Sequence, residues 1–373
     1  MGTPVDDGYH RFVKAITPPI VVNLHGARSL IWPSPTPKPT YTLLFVPGNP
    51  GLAEYYRTYL GEVHRLVNEA ESQNGLEIVC VSQLGHDAAS DGFNLEHEEV
   101  VNVDAQIKHK ASVLDSLAAR WSDTRGPPPR IILGGHSIGA YMALEVVRRK
   151  LNTVPVDAVH LLFPTVHHIG QTPNANKLAW LFRAAAGGAI HQKDGASSPD
   201  KAAVSFSPTL FMLLRAAIAC LQLIPFFIIK SLILLASPTQ NPHAVRATAS
   251  LVLSPHAARQ AIGMALDEMR SVTAVAPYPD PKEGGGVKIR AYWSKGDLDG
   301  WAPEAARVAA EEALRLSAFR LDDAQAGGSV LVLEDVPDRA SMVCEVGMPH
   351  AFCLEHSEAM AKIAAAWIIH DYP

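Results

Sequence analysis

An α/β fold is predicted, with a mostly parallel central sheet, helices on both faces and a helical, apolar cap insertion. Three features of the 373-residue chain predict it. Apolar, β-branched runs alternate with longer stretches in which apolar residues recur three and four apart, as strands and amphipathic helices do when they take turns along a chain. Between about Thr165 and Ala276 that alternation stops. At Gly135-His136-Ser137-Ile138-Gly139 a strand-like run breaks directly into a helical one across a serine flanked by glycines.

Strands are expected at Ile20–Leu24, Tyr41–Val46, Glu77–Ser82, Arg130–Leu133, Ala158–Phe163, Val287–Trp293 and Val330–Leu333. Helices are expected at Glu54–Glu71, Asp104–Trp121, Ile138–Leu151, Pro303–Leu316 and Glu355–His370. Near-continuous apolar strands separated by helices imply a parallel sheet buried on both faces, with functional groups gathered at the carboxyl ends of the strands. The organisation that follows is a core of residues 1–164 and 277–373, interrupted by a cap at 165–276.

Hydrophobic residues make up 48% of the chain and charged residues 18%, which favours a large core over disorder. A net charge of −5 lacks the basic excess of a nucleic-acid binder. The four cysteines, Cys80, Cys220, Cys344 and Cys353, have no zinc-knuckle or redox spacing and read as buried thiols in a reducing compartment. Met1–Lys14 has no apolar core of a secretory signal, so the body of the protein is expected to face the cytosol. His160, His167 and His168 have no carboxylate or cysteine at ligand spacing, and no metal or cofactor is expected.

Inside the insertion, Pro208–Ser237 carries only Arg215 and Lys230 as formal charges. Its uncharged centre, Ala216–Ile229, is 14 residues long and contains Pro225, against the roughly 20 apolar residues of a spanning helix. Two readings remain open. One is a pair of short helices broken at Pro225 that touches a lipid surface, with the two basic side chains reaching outward. The other is an apolar cap helix packed on the core or lining an acyl pocket.

Ser137 is the candidate nucleophile, because the glycines of Gly-x-Ser-x-Gly let a tight strand-to-helix elbow close and leave the hydroxyl exposed above the sheet. A serine needs a base, and the base needs a carboxylate to orient it; elbow sites arrange them in the order Ser, acid, His. Position must choose among 16 histidines. His350 lies between the last strand-like run and the final helix and is preferred to His356. Asp299, at the carboxyl end of Val287–Trp293, is preferred as the acid, with Asp297 stabilising the turn and Glu334 and Asp335 less well aimed. An oxyanion hole needs backbone N–H donors; Ile138 supplies one. In Pro47-Gly48-Asn49-Pro50-Gly51 the prolines have none, and Asn49 is the expected second donor among Gly48, Asn49 and Gly51. Gln106, His109 and Lys110 read as a solvated or packing helix face. Tyr55, Tyr56 and Gly85-His86 are placed near the pocket, either lining it or packing.

With Pro47-Gly48-Asn49-Pro50-Gly51 before Tyr55-Tyr56, Gly135-His136-Ser137-Ile138-Gly139-Ala140-Tyr141, Asp299-Gly300-Trp301 and Pro349-His350-Ala351-Phe352, the chain resembles the lipid droplet-associated hydrolase family from about residue 40 to its C-terminus. The resemblance implies an α/β-hydrolase fold and a triad of Ser137, Asp299 and His350. It also implies a serine esterase acting on lipid or sterol esters, on lipid droplets and the endoplasmic reticulum. It draws residues 208–237 toward lipid contact. Departures lie in Leu321–Gln325 and His191–Ser205, which bear on cap shape and substrate choice. Two other functions fit the same residues: a droplet-organising protein with little turnover, and a thioesterase or acyltransferase using the same triad.

Overall fold

The computed structural model of the chain describes residues 17–70, 75–87, 99–122, 126–185, 208–278, 286–320, 331 and 333–372. Among them, strands β1 (Ile20–Leu24), β2 (Ala27–Trp32), β3 (Tyr41–Val46), β4 (Leu76–Val81), β5 (Arg130–His136), β6 (Ala158–Leu162), β7 (Lys288–Trp293), β8 (Ser317–Ala318) and β9 (Arg339–Val343) form one sheet. Its order is β1-β2-β4-β3-β5-β6-β7-β9-β8. The β1–β2 and β2–β4 pairs are antiparallel, and the remaining neighbours are parallel.

Side chains alternate across a strand, and in a sheet covered on both faces each strand therefore feeds two cores. In β3, Leu43 and Phe45 join the layer of α1 (Arg57–Ala70) and α11 (Ser357–Asp371). Leu44 and Val46 join that of α2 (Val103–Ser122) and α3 (Ile138–Lys150). α9 (Glu304–Leu314) adds Ala310 and Leu314 to the second layer. Register then places the functional loops: Val46 pairs with Gly135, and Trp293 with Val343, so the chain leaves β3 beside β5 and β7 beside β9.

Two strands differ from expectation. The run at 330–333 lies partly outside the described residues, and its described positions, Leu331 and Leu333, are not strand. The last long strand is β9, whose Arg339 and Ser341 mask it in the hydropathy pattern. Both find partners in the folded chain: Arg339 donates to the Leu314 carbonyl and lies over the Tyr278 ring, and Ser341 Oγ donates to Glu311 at 2.5 Å. β2 escaped notice because Arg28 and Ser29 interrupt it; Arg28 pairs with Glu54 at 2.7 Å. Cys80, Cys344 and Cys353 are buried as expected, whereas Cys220 is exposed. Gln106, His109 and Lys110 form a packing face, with Lys110 Nζ donating to the Ser82 carbonyl and Gln106 accepting from the Leu84 N–H.

Between β6 and β7 the chain carries α4 (Pro173–Ala185), α5 (Pro208–Gln222), α6 (Phe226–Ala236), α7 (Pro242–Val252) and α8 (Pro255–Ser271). α7 and α8 start on capping side chains, Asn241 and Ser254, each followed by proline in the first turn. Asn241 Nδ2 also donates to the Cys353 and Leu354 carbonyls, which ties the insertion to α10 (Phe352–Glu355). No single described helix is long and apolar enough to cross a membrane. α5 and α6 are instead a bent pair, meeting at 107° around Pro225.

Trp367 on α11 anchors the first layer, fully buried with its Nε1–H on Met342 Sδ and its ring centroid 5.1 Å from that of His160. Its truncation in Trp367→Ala is expected to cost about 3–5 kcal/mol, read as a lower urea midpoint; an unchanged midpoint would contradict this packing.

Candidate active site

Ser137 follows β5 with φ 56° and ψ −127°, a backbone conformation rarely adopted by residues with side chains. The turn closes because its neighbours are glycines. A Cβ on Gly135 would lie 2.3 Å from the Gly139 carbonyl oxygen, and one on Gly139 would lie 2.2 Å from that of Val46. Backbone thus touches backbone across β3, β5 and α3, and the serine side chain is left standing at the carboxyl edge of the sheet.

His350, from the loop between β9 and α10, places Nε2 2.9 Å from Ser137 Oγ. Its Nδ1 lies 2.5 Å from Asp299 Oδ2, and Asp299 follows β7. An ionised carboxylate only accepts, so Nδ1–H donates to Asp299 and the bare Nε2 accepts from the serine hydroxyl. Burial pushes the Asp299 carboxyl up. The His350 hydrogen bond and charge, with the Trp301 and Ala302 N–H groups, outweigh it and hold the pKa below the usual value. Asp297 instead accepts from the Glu304 N–H at 3.0 Å and stabilises the start of α9. His356 begins α11, and it is His350 that contacts both Ser137 and Asp299.

The loop after β3 lies against the elbow so closely that a Cβ on Gly48 would meet Ser137 Cβ at 2.8 Å. Its N–H groups are mostly spoken for. Gly48 N–H donates to Tyr56 Oη at 3.0 Å, and Gly51 N–H donates to the Gly48 carbonyl at 2.7 Å. Among the described residues the Asn49 N–H has no such partner, and neither has that of Ile138 at the first turn of α3, where helix geometry leaves donors unsatisfied. Gln83 and His86 brace the same loop, donating to the Pro47 and Pro50 carbonyls at 2.8 Å each. His86 therefore supports the loop from behind and is not part of the cavity wall. Tyr55 is buried in the layer of α1 and α11, its hydroxyl 3.0 Å from Thr248 Oγ1.

A cavity of about 300 Å³ opens over this corner. Ser137, His350 and Asn49 line its floor, Trp301 and Ile169 a side, and Ala261, Ile262, Ala265 and Glu268 of α8 the wall contributed by the insertion.

Sequence reasoning did not find a second histidine at work. His136 Nε2 lies 2.8 Å from the His350 carbonyl oxygen, which can only accept, so Nε2 carries the hydrogen. His136 Nδ1 is then the acceptor, and Tyr56 O–H donates to it at 2.7 Å while accepting from Gly48. Burial first, and then the neighbouring His350, push the His136 pKa down to about 3, so the ring is neutral. One tyrosine hydroxyl thereby joins the loop after β3 to the loop that carries His350.

A model of the family described as lipid-droplet associated hydrolase matches residues 39–353. The chain belongs to that family. It is 26% identical to the Mus musculus lipid droplet-associated hydrolase over 342 residues, covering 90% of this chain and 87% of the relative. The Drosophila melanogaster protein of the same name is 24% identical over 327 residues, 86% of each. Among solved structures, a haloalkane dehalogenase DbeA loop variant from Bradyrhizobium elkanii overlays with a TM-score of 0.53 at 13% identity, covering 94% of this chain and 96% of that one. The epoxide hydrolase VrEH1 from Vigna radiata gives 0.50 at 14%, covering 95% and 98%. At those identities the likeness concerns the fold alone, and the fold is that of the α/β-hydrolases.

For this member of the lipid-droplet associated hydrolase family, the other groups missed from sequence are Thr165 and Glu268. Thr165 Oγ1 lies 3.5 Å from Ser137 Oγ, just past β6. The signal for His136 was its place beside the elbow serine. Glu268, one acid in an amphipathic helix, offered none.

Tyr56→Phe removes the shared hydroxyl and leaves the Gly48 N–H and His136 Nδ1 buried without it. The variant is expected to lose about 1–3 kcal/mol of stability in urea unfolding. Wild-type stability would show that the bridge carries no strain-bearing load.

Proposed function

We propose that the protein is a serine hydrolase that cleaves carboxylic esters of hydrophobic lipids, sterol or acylglycerol esters, on the cytosolic face of the lipid droplet or endoplasmic reticulum. The observation that carries this reading is the unbroken hydrogen-bonded line from Asp299 through His350 to Ser137 Oγ in the cavity. His350 Nε2 takes the proton of Ser137 as Oγ attacks the ester carbonyl, and the Asp299 carboxylate stabilises the imidazolium that forms. The carbonyl oxygen, now an anion, accepts from the Ile138 and Asn49 N–H groups. His350 then gives its proton to the departing alkoxide, leaving an acyl-enzyme on Ser137. A water, deprotonated by the same ring, releases the acid and restores the serine. No step calls on a cofactor.

Two observations support the lipid surface. The relatives are named lipid droplet-associated hydrolases. The bent α5–α6 pair presents Leu223 85% exposed, Leu235 79% and Phe227 68%, a run of apolar side chains that a water-facing surface disfavours. Arg215 and Lys230 are its basic side chains, and on this reading they would reach the headgroup level while the apolar residues enter the acyl layer.

Purified wild-type protein is expected to react covalently with a fluorophosphonate probe, and Ser137→Ala and His350→Ala are expected not to. Folded wild-type protein that stays unlabelled in detergent would exclude the serine mechanism and favour a droplet-organising role. Asp299→Asn, which leaves the shape but loses the charge and the tautomer control, is expected to lower kcat for a water-soluble ester by about 10³–10⁴-fold.

The triple variant Leu223→Glu, Phe227→Glu, Leu235→Glu is expected to stay in the subnatant when floated with phospholipid-coated triacylglycerol droplets, while wild type rises with them. Equal flotation would remove α5–α6 from the docking surface.

A further inference from the structure

Glu268 is an acid on the cavity wall that the reaction above does not use. It lies on α8, is 8% exposed, and accepts from Asn49 Nδ2 at 3.0 Å through Oε1. The same Nδ2 donates to the Ala261 carbonyl at 2.9 Å, two turns earlier on the helix. The insertion therefore grips by its side chain the residue whose backbone N–H is assigned to the oxyanion. Among the described residues no cation pairs with Glu268.

On the serine-hydrolase reading, we propose that Glu268 is a positioning residue that works as a neutral carboxylic acid, fixing Asn49 for the oxyanion, and that its ionisation shuts the site down. A carboxylate here would set a negative charge beside the place where the reaction develops its own, in a buried corner where water screens neither. A neutral acid keeps the hydrogen bond to Asn49 without that charge.

The surroundings agree with a retained proton. Burial raises the Glu268 pKa; the Asn49 hydrogen bond lowers it, Asp267 on the same helix raises it, and it stands at about 8. Asp267 accepts from the Val103 N–H at 2.8 Å and is in turn influenced by Asp104 of α2. The other titratable groups with described side chains on α8 and the elements packed against it are His256, Arg259 and Arg270 on α8, Lys108, His109, Lys110, Asp115 and Arg120 on α2, His168 at the turn before α4, Lys177 on α4, Arg215 and Cys220 on α5, and His243 and Arg246 on α7. His350 shares the cavity with Glu268.

The test is the second-order rate of fluorophosphonate labelling of the full chain in detergent, from about pH 6 to about pH 9.5, for wild type, Glu268→Gln and Glu268→Leu. With a group of pKa about 8 that must keep its proton, the wild-type rate is expected to be about tenfold lower at pH 9 than at pH 7. Glu268→Gln has nothing to ionise, so its ratio between those pH values is expected near one. Glu268→Leu, which cannot accept from Asn49, is expected to react more slowly at both pH values and also without an alkaline decline. An alkaline decline that survives in Glu268→Gln, or a wild-type rate level up to the top of the range, overturns the proposal even if Glu268→Leu fails to fold. Absence of labelling in wild type and Glu268→Gln at every pH overturns the serine mechanism, and this proposal with it. Labelling without pH dependence overturns this proposal alone.

Discussion

The contact on which the rest of the site depends is between main chains, where β5 turns into α3 against the end of β3. Gly135 against Gly139, and Gly139 against Val46, approach so closely that a single methyl group on either would force the strands and helix apart. That closeness holds Ser137 in its unusual conformation and brings the loop at Gly48 and Asn49 beside it. A sheet packed on both faces is stiff enough to hold such a turn, because Leu43 and Leu44 of β3 are each locked into a separate apolar layer. The strain at the serine is thus borne by the two cores and not by the loops.

Around this fixed point, the loops are joined to each other through side chains. Tyr56 and His136 connect the backbone of Gly48 to the carbonyl of His350, so the loop after β3 and the loop after β9 are tied together. Pro47 and Pro50 carbonyls are held by Gln83 and His86, and Asn49 by Glu268. Hydrogen-bond donors that are already oriented need no rearrangement when charge develops in front of them, which is where such sites gain most of their effect. The neutral ring of His136 matters for the same reason. An imidazolium there would lose its acceptor for Tyr56 and place a positive charge against the His350 ring.

Residues whose chemistry is written in local order were legible from sequence. The elbow, its following helix, and the loops carrying Asn49, Asp299 and His350 could be read because glycine, proline and strand-to-helix order impose their geometry over a few residues. Asp299 was separable from Asp297 by its distance from the strand, and the structure puts Asp297 at the start of α9. β9 and β2 were illegible because Arg339, Ser341 and Arg28 find partners only in the folded chain, so their polarity concealed two strands that are paired on both sides. Glu268 was illegible for a related reason. Its meaning comes from Asn49, which is 219 positions away, and nothing in the spacing of one helix announces such a partner.

The insertion brings two environments within one set of packed helices. α8 turns Ala261, Ile262 and Ala265 toward the cavity together with one buried acid, while α5, packed on α8, continues into α6 and faces outward with Leu223, Phe227 and Leu235. On the proposed lipid-ester reading, a substrate dissolved in an apolar phase has to leave that phase and meet Ser137 without crossing bulk water, since exposing its hydrocarbon would cost about 25 cal/mol for each Å² uncovered. On the same reading, a docking surface on helices that touch the wall of the cavity would shorten that transfer to the width of the insertion itself. It also makes the pose of α8 sensitive to whatever α5 and α6 rest on. Because Glu268 and the Ala261 carbonyl both hold Asn49, a shift of α8 would be felt first at Asn49. The same helix that lines the cavity with Ala261, Ile262 and Ala265 therefore also holds Asn49, which lines it with Ser137.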